Sequence, residues 1–105
     1  MNHDEMCKKI EKIFVKILKT HKEGQKEYAE IEDVFSNFKK IGKNVNVSKE
    51  KVLLVYLLKH IDGISSYIDG HEMQREDIRG RITDALVYLC LLWGMIDESE
   101  QKNKW

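Results

Sequence analysis

Arg81, Asp84 and Tyr88 fall three and four residues apart in the most apolar stretch of the chain, and with Asp77 they line one stripe of a helix. The neighbouring stripe carries Ile78, Ile82, Ala85, Leu86, Leu89 and Trp93, which places two opposite charges beside an expected core. Upstream, Lys59 and Asp62 interrupt an otherwise apolar run from Val52 to Ile68. Charges persist in such settings when they are paired, hold a metal or face a ligand. Carboxylates from separate helices suit Mg²⁺, whose octahedron is usually completed by water and by the phosphates of a substrate. Asp33, Asp62 and Asp84 are therefore the candidate metal ligands. Lys59 and Arg81 are the candidate catalytic cations, stabilising charge that grows on phosphate oxygens. Tyr28, Asn37 and Tyr88 are the candidate contacts to the nucleotide itself.

The same residues admit a purely structural account. Arg81 with Asp62, or Lys59 with Asp84, would form internal ion pairs, which proteins retain for reasons other than catalysis. The acids at the start of the expected second helix, Glu27, Glu30, Glu32 and Asp33, suit a helix N-terminus through its dipole alone. His3, His21, His60 and His71 have no zinc-ligand spacing, and His60 is expected at the edge of the core. Cys90, inside an apolar pattern, is expected to be a buried free thiol. Phosphate loops of the GxxxxGK[ST] type, GxGxxG, GxSxG and HExxH are all absent from the sequence.

Positioning these groups requires helices. Proline is absent and only six glycines occur, so helices can run long. Apolar spacing predicts a first helix over about 3–21, with Ile10, Ile13, Phe14, Ile17 and Leu18 inward and Gly24 either ending it or beginning a short connector. A second helix, continuous or bent, is predicted over 25–41, burying Tyr28, Ile31, Val34 or Phe35, Phe38 and Ile41, and closed by Gly42. Residues 42–47 are expected to be a loop whose valines plug a gap. Ser48 caps a third helix over 49–68, Asp69-Gly70 turns the chain, and a fourth helix begins between His71 and Asp77 and ends near Ser99, before a polar tail. The expected fold is all-α, a four-helix antiparallel bundle occupying residues 1–105 as one domain. The broad apolar surface of the third and fourth helices predicts completion by oligomerisation, as a homodimer or larger.

Eighteen basic residues balance eighteen acidic ones, which argues against a nucleic-acid or membrane-surface partner. Residues 1–51 hold twelve lysines against nine acids, and the remainder reverses the sign with six bases against nine acids. Two cysteines without a CxxC pair, no signal sequence and no membrane-length apolar run predict a soluble protein of the reducing cytoplasm.

Tyr28…Glu32-Asp33-x-Phe35-Ser36-Asn37-Phe38, then Leu57-Leu58-Lys59-His60, then Arg81-x-x-Asp84-x-x-x-Tyr88 resembles small helical phage and prophage proteins of the nucleotide-modification-associated type. The resemblance covers roughly residues 20–96. Glu27 stands where that pattern has Asp, and Val87 where it has Gly before Tyr88. The architecture is also similar to the all-helical MazG-like nucleotide pyrophosphatases. That similarity implies Mg²⁺ held by acids on two helices and assembly into dimers or tetramers. Glu32-Asp33-x-x-Ser36-Asn37 and Arg81-x-x-Asp84 keep some of the expected ligands and lose others, so nucleotide binding, with or without hydrolysis, is the implied function. The competing expectation is a non-catalytic structural or protein-interaction module.

Overall fold

In a computed structural model, residues 1–28, 33–71 and 77–103 are described, apart from the side chains of 25–28 and 103. Four helices follow one another: α1 (His3–Tyr28), α2 (Ser36–Val45), α3 (Lys49–Ile68) and α4 (Ile78–Asn103). They pack as an antiparallel bundle in which α4 is central. It lies against α3 most extensively and against α1 next, while α2 closes over α3.

Local chemistry accounts for most boundaries. Asn2 accepts the Glu5 amide at 2.9 Å and starts α1, which carries Asp4 and Glu5 in its first turn. The helix then passes straight through Gly24, where the sequence suggested a stop. An internal glycine costs about 1 kcal/mol relative to alanine and does not by itself break a helix. The expected helix over 25–41 is accordingly divided, with its first residues ending α1 and only Ser36 onward forming α2.

α2 also runs beyond Gly42, to a left-handed cap at Asn46 with φ 60° and ψ 47°. The Val47 amide donates to the Gly42 carbonyl at 2.9 Å. Gly42 is required for a different reason than termination, because a Cβ there would sit 2.6 Å from the Val47 carbonyl oxygen. Val45 and Val47 are exposed and plug nothing. Ser48 caps α3 as expected, its Oγ accepting the Lys51 amide at 3.2 Å. Asp69 and Gly70, the latter with φ 93°, turn the chain out of α3.

The core consists of Phe35, Phe38, Val52, Leu53 and Met95, with Val34, Ile41, Tyr56, Tyr88, Leu91 and Leu92 packed around it. Leu53 and Met95 are fully buried. Among the described side chains of α1, Ile17 is the buried one, Ile13 is half-buried, and Ile10, Phe14 and Leu18 are exposed. Cys90 is exposed and unbridged, contrary to the expectation of a buried thiol, because its edge of α4 turns toward solvent beside α1. Thr83 is buried without penalty, since its hydroxyl donates to the Arg79 carbonyl at 2.7 Å.

α4 is turned partly away from the orientation expected of it: of the apolar stripe, Ala85 is buried and Ile78 and Leu86 are half-buried. The stripe holding Arg81, Asp84 and Tyr88 turns toward its neighbours, whereas Ile82, Leu89 and Trp93 are exposed, Trp93 at 72%. The radius of gyration is 15.9 Å, against about 13 Å for a globular chain of this length. Much apolar surface is thus left outside. No helix among the described residues is long and apolar enough to cross a membrane.

Candidate functional site

The sequence candidates separate when placed on these helices. Asp33 precedes α2, where its carboxylate accepts the Phe35 amide at 3.0 Å and pairs with the Lys39 ammonium at 2.8 Å. Lys39 first, and the Phe35 N–H second, hold the Asp33 carboxyl below its usual range, and Asp33 in turn raises Lys39. Asp33 therefore has a structural occupation, starting α2. Lys59 and Asp62 are both exposed on α3, so the interruption they make in the apolar run is a solvent-facing one. Among the described residues no three His, Cys, Asp or Glu side chains gather where they could hold a metal ion, and Asp33, Asp62 and Asp84 are all among those residues. The expected convergence of these three on Mg²⁺ does not form.

The two proposed internal ion pairs do not form either. Among the described residues the ion pairs between side chains are Lys39–Asp33, Lys49–Glu50 and Arg79–Asp77, each local in sequence, and Asp84 is engaged otherwise than with Lys59. Arg81 instead lies flat on α3 over Gly63, where a Cβ would overlap its side chain. Its Nε is buried with no hydrogen-bond partner among the described residues. Gly63 is what admits the arginine.

Asp84, Tyr88 and Asn37 do come together, at a hollow of about 500 Å³ between α1, α2, α3 and α4. Its wall is largely apolar and aromatic. Tyr56 and Tyr88 stack with centroids 6.1 Å apart and planes 11° from parallel, and Phe38 meets each edge-on at 6.1 and 6.3 Å. His60 lies 5.5 Å from Tyr88 on the far side, and its Nδ1 is buried without a partner among the described residues. His60 thus takes the core-edge place expected for it. Burial, then the Asp84 charge, then Tyr56, raise the Tyr88 phenol above its ordinary value, so it remains a neutral donor throughout the physiological range. Thr20 and His21 of α1 supply polar groups at the rim, and among the described residues the wall has no lysine or arginine. Such a space suits a flat, apolar or weakly polar group better than a phosphate.

A second, shallower depression of about 630 Å³ joins α2 to the start of α3 and is lined by Lys39, Lys40, Lys43 and Lys49 together with Asp33 and Glu50. Both acids are already paired to two of those lysines. The Tyr28 side chain lies outside the described residues, as do Glu30, Glu32 and Trp105.

Sequence reasoning missed Tyr56, His21 and Gly63. Tyr56 was readable in principle, four residues before His60 on the same helical face. His21 and Gly63 acquire their places only from the crossing of α1 and α3 with α4, which no local pattern encodes. Comparison with protein families, with curated proteins and with solved structures finds no match.

Proposed function

We propose that this chain is a non-catalytic helical interaction module whose working surface is the exposed apolar side of its long helices. One observation carries the proposal: Phe14 and Leu18 of α1, Leu54, Val55 and Leu58 of α3, and Leu89, Trp93 and Ile96 of α4 are all exposed. A monomer that kept this much aliphatic and aromatic surface in water would carry an aggregation liability, and exposed apolar residues on this scale mark an interface where they adjoin one another. The placement of the charged candidates supports the same conclusion, since Asp33 is occupied with Lys39 and Lys59 and Asp62 face solvent. The test is photo-crosslinking in cells expressing the full chain, from a photoreactive residue at position 93 or 55 and from a control at position 43. Adducts of defined mass from 93 and 55 alone are expected. Equal or absent labelling at all three positions would remove the proposal.

A nucleotide-binding function, of the kind the phage-protein and MazG-like resemblances imply, draws support from the aromatic hollow. A base would lie against Tyr88, Tyr56 and Phe38, with Asn37 and Asp84 at its edges. Lys59 and Arg81 do not line that space, so neutralising the phosphates would fall to Mg²⁺, with Asp84 the nearest carboxylate candidate. Calorimetry with nucleoside triphosphates, with and without Mg²⁺, decides this function. Heat in the native chain that disappears in Asp84→Asn is the expected signature, and no heat with any of them eliminates it.

A further inference from the structure

The exposed side of α4 has a regular order. Ile82, Leu86, Leu89, Trp93 and Ile96 recur at alternating spacings of four and three, the seam of a coiled coil, over roughly 21 Å of helix. Leu86 is half-buried and the other four are exposed. Of the flanking positions, Thr83 and Ala85 are buried and Cys90 and Leu92 carry no charge, so the middle of the seam is uncharged and Asp97, exposed beside Ile96, brings a charge only near its carboxyl end. One step beyond each end the same register places Arg79 and Glu100, and both are exposed.

Most charges of α4 run against its own dipole. Arg79 and Arg81 occupy its first turn and Asp97, Glu98 and Glu100 its last turns, while Asp77 just before the helix, bridged to Arg79 at 3.3 Å, and Lys102 in the last turn run with it. A helix dipole favours acids at the start and bases at the end. A second α4 laid antiparallel improves the account, because the acidic last turns of each copy then lie beside the start of the other, where exposed Arg79, bridged to Asp77 of its own chain, falls near Glu100 at both extremities, and the two dipoles oppose. A parallel partner would instead set basic end beside basic end.

The exposed stripe on α3, Leu54, Leu58 and Ile61, repeats the four-three spacing. On the helix it adjoins buried Leu57. Phe14 and Leu18 of α1 border a cleft with Cys90 and Val87 of α4. On its α1 side the seam thereby adjoins further apolar surface.

We propose that the occupant of this face is a second copy of the chain, paired α4 to α4 in antiparallel orientation about a two-fold axis near Leu89. The inference rests on the interaction-module proposal and names its partner. Isologous pairing needs one surface that complements itself, and the seam with its oppositely charged ends is such a surface. In an antiparallel pair Cys90 lies on the flank facing its own counterpart, close to the axis.

Sedimentation of the full chain, 12.4 kDa, tests the stoichiometry, and a short bismaleimide applied to Cys7→Ser tests the geometry through Cys90. A species of twice the chain mass is expected, together with a covalent dimer that is lost in Cys90→Ser. Leu89→Glu should abolish the dimer with helical circular dichroism retained, since Leu89 is exposed in the single chain; Leu89→Gln provides the milder check on folding. Arg79→Glu or Glu100→Arg should each weaken dimerisation several-fold, and the double exchange should restore it. A chain that stays monomeric at every concentration overturns the second-copy inference, while adducts from position 93 to other proteins would keep the interaction module alive. A dimer sensitive to Leu89→Glu without Cys90 crosslinking overturns the antiparallel arrangement alone. A dimer indifferent to Leu89→Glu removes this face, and with it both proposals.

Discussion

Replacing Gly63 with alanine should stabilise the protein, although the substitution crowds a neighbour. The new Cβ would come 2.5 Å from Arg81 Nε and 2.7 Å from Cζ, so the guanidinium must swing away from α3. Cδ of the stem is nearer still, so the whole outer half of a flexible side chain must shift, by rotation about its own bonds and without moving backbone. Returning the orphaned Nε to water recovers about 1–3 kcal/mol. Alanine in a helix interior adds about 1 kcal/mol over glycine. Against this stands the contact of the arginine stem with α3, worth about 0.8 kcal/mol for each methylene that is uncovered, or roughly 2 kcal/mol for its aliphatic part. The balance is a gain of about 1 kcal/mol, which for a chain of this size raises Tm by roughly 4–8 °C. Urea denaturation followed by circular dichroism, at unchanged m, measures it. A loss of about 1 kcal/mol or more would refute the reasoning. Such a loss would mean that Arg81 holds the fold through an interaction made in its present position.

Three further outcomes follow from the packing and the titrations. Leu53→Ala empties a fully buried site between α3 and its neighbours and should cost about 3–5 kcal/mol, read from the denaturation midpoint, whereas Leu54→Ala on the exposed stripe should cost under about 1 kcal/mol in the single chain. Ser48→Ala removes the acceptor for the Lys51 amide and should cost about 1 kcal/mol, with Ser48→Asp nearly neutral in the same assay. Tyr88 should ionise above its ordinary 10.0 in an ultraviolet titration, and Asp84→Asn should bring it only part of the way back, because burial is the larger cause. A phenol whose folded pKa is raised stabilises the fold fully below about 10, and that contribution disappears as pH climbs from the unfolded toward the folded value.

The bundle was legible where the code is local. The serine cap, the full extent of α3 and the Asp69-Gly70 turn are consequences of side chains acting on their own backbone, and they lie where the spacing puts them. Gly24 and Gly42 misled because glycine marks helix ends only statistically. At Gly42 the controlling fact is the approach of the Val47 carbonyl, five residues on. The larger departure is at α4. A helical wheel finds two coherent stripes, Ile82-Leu89-Trp93 and Arg81-Asp84-Tyr88, and hydropathy assigns the first to the interior. The tertiary arrangement assigns it to the outside, since Tyr88 stacks on Tyr56 and Arg81 lies over Gly63. Of the candidate site, Asn37, Asp84 and Tyr88 reached one hollow, while Asp33, Asp62 and Lys59 did not, because their directions depend on crossings between helices that no periodicity records.

α1 has a further consequence through its weak anchorage. Its first ten residues bury nothing, and the first buried side chain along it is Ile17, yet Thr20, His21 and Gly24 form one side of the aromatic hollow. A wall fastened so sparsely lifts at a lower free energy than the α3–α4 hairpin unfolds, so amide exchange should propagate from the amino terminus while α3 stays protected. Entry to the hollow then needs no permanent mouth. Whatever settles inside would act as a latch, drawing the hinged helix shut and slowing exchange along its whole length.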